Sequence, residues 1–331
     1  MRAKWLFTLC VATSLAGRVA AQAPAPAAAP ADDAPVPVSG KTRPFLGGFL
    51  RETRVVYPLR VGDWEAEGEH LFDEQSLGAA VRYRNLKHAQ RWLDLYFYPA
   101  GILDGREFDE ATRVQRESLA MAGYGHLDLG PTRDFHYLVE SRHGRGEDTP
   151  EPHTGHSLDA AMVSEGVRLH SAMTLQYERL YFIKGRLSAP RGDASRRSLR
   201  EALESFASAL APQLEIRSSG ECWRPLPITP MPAGGAPVAS TILSIDDGSG
   251  GKSVVTPSGV VADRPDSDAA KAAMLLGMHR MGRIHDGCVA TEDLNATVPE
   301  GMRELRLEFH APDELSDGHA PRLRPERVTE G

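Results

Sequence analysis

The stretch Trp92-Leu93-Asp94-Leu95-Tyr96-Phe97-Tyr98 places Leu93, Leu95 and Phe97 on one side and Trp92, Asp94, Tyr96 and Tyr98 on the other. A period of two is that of a β-strand, whose side chains point alternately to opposite faces. The wholly aliphatic and phenyl side reads as a core face. The other side carries three aromatics, Trp92, Tyr96 and Tyr98, which either lie under a helix or form an exposed binding patch. Covering by a helix is the reading that a layered sheet favours. Pro99-Ala100-Gly101 ends the strand.

Outward from this strand, Ala79–Arg84 alternates in the same way, and strands resume at Phe135–Ser141, around Ala160–Ser164, and in the pair Arg168–Leu175 and Arg179–Ala189. Residues 106–122 predict a helix with Phe108, Ala111, Val114 and Met121 roughly on one face. Residues 194–211 predict a second, in which Leu199, Leu203, Phe206 and Leu210 form a stripe and Pro212 terminates it. The expected class is α+β, a mainly antiparallel sheet covered by helices, with a smaller disulfide-braced α+β domain after it. This element order, with Leu180–Pro190 (LYFIKGRLSAP) running into the second helix, resembles the photosystem extrinsic-subunit (PsbP-like) sandwich over roughly residues 45–216. The resemblance implies a meandering sheet under helices, and it assigns no functional residue.

The chain opens with Arg2 and Lys4, an apolar run from Trp5 to Gly17, and the small residues Val19-Ala20-Ala21. That is the pattern of a secretory signal peptide over residues 1–21, with an apolar run too short for a membrane span. Residues 22–44 hold six prolines among alanines and read as a Pro/Ala-rich disordered linker. A sandwich domain is expected over 45–218 and a small C-terminal domain over 219–312. The Pro/Gly-rich passage from Gly220 marks their boundary, and 313–331 reads as a flexible tail. The chain also resembles uncharacterised exported proteins of Gram-negative bacteria, which implies the periplasm, or secretion as the alternative.

The whole chain has 38 Lys and Arg against 45 Asp and Glu, a net charge of −7. Loss of Arg2, Lys4 and Arg18 with the leader leaves 35 basic residues against 45 acidic ones, or about −10. An acidic chain opposes general affinity for nucleic acid, and a protein or envelope component is the expected partner. No transmembrane segment is expected after the leader, and the oligomeric state is open.

Four motifs compete for chemistry. Cys222 and Cys288, the cysteines left after the leader, read as a disulfide closing a 67-residue loop, which a chain-entropy model values at about 4 kcal/mol. Gly250-Gly251-Lys252-Ser253 resembles the end of a phosphate-binding loop, but Asp246 stands at the position of its first glycine, and Val254-Val255-Thr256-Pro257 follows where a helix is required. It reads as a hairpin loop. Residues 143–156 bring His153, His156 and Glu151 close in sequence, donors suited to zinc or copper, although a Pro/Gly loop does not preorganise them. Met274, Met278 and Met281 have the spacing of a buried helix face, which core packing explains better than copper. No nucleophile elbow or His-Glu-x-x-His motif occurs. The expected function is thus a non-catalytic accessory or binding protein of the envelope. A metal-binding protein using residues 143–156 is the alternative, and a hydrolase with an unrecognised site the third.

Overall fold

The alternating stretch lies in β5 (Trp92–Pro99), a central strand of a nine-stranded sheet. The structure is a computed structural model describing residues 45–140, 150–223, 225–232, 240–246, 248 and 250–311. Along the sheet the order is β2 (Arg60–Val61), β3 (Trp64–Leu71), β4 (Ala79–Asn85), β5, β10 (Tyr181–Pro190), β9 (Val167–Glu178), β8 (Pro150–Ser164) and β6 (Gly125–Leu129). The ninth strand, β7 (Arg133–Glu140), pairs with the first half of β8, and every pairing in this sheet is antiparallel.

Among the described residues strand makes up 46% and helix 23%, in a curled antiparallel sheet with few helices. The α+β class with helices covering the sheet is therefore corrected to a mostly β fold. The physical reason is a second sheet. β1 (Glu52–Pro58) is its middle strand, flanked antiparallel by β11 (Glu215–Ser219) and β16 (Met302–Glu308). Val55 and Tyr57 of β1, Ile216 of β11, and Leu305 and Leu307 of β16 close over Leu93, Leu95 and Phe97 in one apolar cluster. Helix α2 (Arg196–Leu210) completes it with Leu199, Leu203, Phe206 and Leu210. It packs closely because Gly185 leaves room: a Cβ there would stand 2.6 Å from Thr174 Oγ1 and 3.0 Å from Leu203 Cδ1.

On the opposite face lies α1 (Gly105–Met121), started by a capping box in which Asp104 accepts from the Glu107 amide and Glu107 from that of Asp104. Ala111 of α1 packs against Tyr96, Tyr98, Leu175 and Phe182. Tyr96 and Tyr98 are buried, so these aromatics are covered, while Trp92 is half-buried near Tyr124.

At the heart of the smaller sheet, the guanidinium of Arg54 is buried. Its Nε donates to Glu304 at 2.5 Å, Nη1 to Glu215 at 3.0 Å and Nη2 to the Ala296 carbonyl at 2.7 Å. One side chain of β1 thereby ties together both flanking strands and the turn before β16.

Between β11 and β16 the chain forms a small module. Its sheet runs β12 (Ile228–Pro230), β15 (Gly259–Ala262), β14 (Lys252–Thr256), β13 (Leu243–Asp246), with α3 (Asp268–Arg280) packed on it. The glycine-rich stretch is the β13–β14 hairpin, with Asp246 opposite Lys252. Gly248 and Gly250 take φ of +69° and +84°, the left-handed region that glycine enters at no steric cost. Met278 is fully buried, with Met274 and Met281 packed around it. β16, by contrast, returns to β1, so residues 219–312 are not self-contained: the module is an insertion between the two strands that flank β1.

Candidate functional site: a groove at the N terminus of α1

Strand register builds a row that the sequence does not display. Tyr96 pairs with Lys184, Lys184 with Leu175, Leu175 with His156, and His156 with Asp134. Directly paired residues project to the same face, so these side chains line up across five strands on the α1 side. Lys184 is fully buried, with its ammonium 5.6 Å from the Tyr96 ring centroid. At the far end of the row, the His156 ring is held between two carboxylates, Nδ1 at 3.0 Å from Asp134 and Nε2 at 3.1 Å from Asp109. Phe108, from the first turn of α1, tilts over it with centroids 4.9 Å apart. Around this pair opens a groove of about 710 Å³, lined by the first turn of α1, Asp134, Thr154 and His156. The carboxylates stand in solvent, Asp109 at 71% and Asp134 at 66% exposure, while His156 is only 13% exposed.

The other face of β8 carries a separate group. Tyr137 donates its hydroxyl to Glu178 Oε1 at 2.7 Å, and His153 Nδ1 meets the same oxygen at 2.6 Å. The hydrogen bond to Glu178 raises the pKa of His153; burial opposes it, and the charges of Glu178, Glu151 and Asp286 assist it. A raised folded value stabilises the fold fully below the ordinary histidine pKa of about 6.5, and this contribution is lost as pH rises through the folded value. In an NMR titration the His153 ring is expected to titrate above a free histidine, and Glu178→Gln to bring it down, since burial then acts with less opposition. A wild-type midpoint at or below that of free histidine would contradict the pairing.

The sequence-predicted metal donors are not brought together. Residues 143–149 lie outside the described residues. Pro150 to His156, read from sequence as loop, belong to β8. His153 and His156 are three apart in a strand and so point to opposite faces of the sheet. Glu151 is exposed and opposite Val139. Among the described residues, no group of three or more His, Cys, Asp or Glu is disposed to hold a metal ion. The second half of β8 agrees with the strand expected around Ala160–Ser164. Its first half is hidden in the sequence because Gly155 stands where an apolar side chain should be, and the Phe135 ring of β7 fills that space: a Cβ on Gly155 would lie 2.7 Å from Phe135 Cε1. Asp109, which in sequence reads as a carboxylate favouring a helix start, also serves the groove, and Asp134 joins it through register alone. Cys222 and Cys288 are both buried in the same apolar cluster.

No described helix is long and apolar enough to cross a membrane. No protein-family model matches the chain, and no curated protein matches it.

Proposed function

We propose that this chain is an exported, non-catalytic binding protein of the bacterial envelope, and that the groove at the N terminus of α1 receives a basic segment of a partner protein. The observation that carries this reading is the convergence of Asp104, Asp109 and Asp134, with Arg106 the one arginine or lysine among the described lining residues, around an open space floored by Phe108 and His156. A lysine or arginine side chain can lay its apolar stem on that ring pair and set its charge between the carboxylates. The acidic balance of the chain works in the same direction by drawing basic partners to it.

Calorimetric titration with an oligolysine peptide tests the reading, with an oligoglutamate peptide as control. Saturable binding of the basic peptide, weakened by salt and by at least about tenfold in an Asp109→Asn, Asp134→Asn variant, is the expected result. Absence of binding, or equal binding by the variant, would sink it.

A further inference from the structure

The inserted module meets the rest of the chain through a narrow two-stranded neck. Ser218, near the end of β11, bridges to Cys288, and Trp223 bridges to Ile284. The Ser218 amide donates to the Gly287 carbonyl at 2.7 Å, and the Val289 amide to the Ser218 carbonyl at 2.9 Å. Cys222 donates its amide to Phe49 at 3.1 Å, which pins the outgoing strand to the start of the folded chain, and Cys288 donates to His285 at 2.9 Å. The two cysteines thus sit on opposite strands of the neck, 1% and 7% exposed, within one apolar cluster. Cys222 Sγ lies 3.7 Å from the Ser218 carbonyl. Burial pushes the Cys288 thiol far up, and its hydrogen bond with Cys222 adds to this.

We infer that Cys222 and Cys288 close a disulfide that locks the neck of the inserted module. In forming it, each thiol loses its proton and one S–S bond is made. The two electrons pass to the disulfide of a thiol–disulfide oxidoreductase, which leaves as a dithiol. With both sulfurs buried, the exchange takes place while the neck is still open during folding. Closure then shields the bond from reductants, as for a structural disulfide rather than a regulatory one. The bridges, their backbone hydrogen bonds and the packing of Trp223 and Ile284 hold the neck closed without a covalent bond; a tie between the two cysteines makes its local opening rarer.

The reduced full-length chain is refolded in a glutathione redox buffer, denatured and alkylated without further reduction, and peptide mapping then reports Cys222 and Cys288 apart from Cys10. The expected result is one peptide pair linked through Cys222 and Cys288, with neither residue alkylated. Two alkylated thiols in protein that has regained its native spectrum would overturn the bond. For the lock itself, amide hydrogen exchange is compared between the oxidised protein and the same chain refolded under reductant. The amides of Ser218, Cys222 and Val289 are expected to exchange at least about tenfold faster without the bond, and those of β9 and β10 to be unchanged. Equal protection at the neck would overturn the lock, and because both samples carry the native sequence, no substitution can be blamed.

Discussion

A chain ended at Gly301 is expected to lose cooperative folding. It lacks β16, which pairs with β1 from Glu52 to Pro58, together with Phe309 just beyond it. Leu305, Leu307 and Phe309 are nearly or wholly buried in the main core. At roughly 1.5–3 kcal/mol for each buried side chain, their loss removes about 5–9 kcal/mol. That approaches the whole stability of an ordinary domain, about 5–15 kcal/mol. The deletion also opens one edge of β1 and exposes the apolar face beneath it, which favours aggregation. Thermal unfolding followed by circular dichroism, with size-exclusion chromatography, checks this against a chain ended at Ala311. A cooperative transition within a few degrees of the control would contradict it.

Arg54→Ala is expected to cost about 3–5 kcal/mol, the range for breaking one side of a buried ion cluster. The cost lies in what remains: Glu215 and Glu304, each only about one-fifth exposed, keep Arg217 and Arg306 but lose the buried guanidinium that bridged them. Arg54→Lys recovers little, since an ammonium is a single point charge and cannot span two carboxylates and the Ala296 carbonyl. Burial works to raise the pKa of Glu304, but the hydrogen bonds from Arg54 and Arg306 outweigh it and hold the carboxyl below its ordinary range. A depressed folded value gives stability that is present above the unfolded value of about 4.3 and is lost as pH falls through the folded one. Urea titrations of wild type and variant at neutral and acid pH measure both effects. The gap between them should narrow on the acid side, and a neutral-pH loss below about 1 kcal/mol would contradict the role given to Arg54.

How much of this was legible depended on whether a residue's role is local. Trp92 to Tyr98 show their strand because one face is apolar throughout, and Leu199 to Leu210 show their helix because a stripe recurs every three to four residues. Asp246 in place of glycine was enough to dismiss a phosphate loop, and the hairpin stands there. The fold class went astray at β1. Thr53 and Arg54 look like surface residues, yet both are buried, and the partners that make this segment a strand lie about 160 and 250 residues away. With the second sheet unseen, helices were given too much of the cover. The groove fails for the same reason: Asp109, Asp134 and His156 share no motif, and only the register of β7 on β8 and the position of α1 unite them.

The arrangement around Arg54 also sets a clock. β1 is made early, but Glu304 follows it by 250 residues, which at about 5–20 residues per second leaves roughly 10–50 s before the closing strand exists. For about the first 160 residues of that interval the smaller sheet lacks both flanks of β1, and until β16 arrives it lacks one, so the core beneath it cannot seal. A chain that is barred from completing itself until its end has been delivered remains open for that time. It must also be shielded meanwhile, so its demand for chaperones should scale with the delay between β1 and β16 rather than with its final stability.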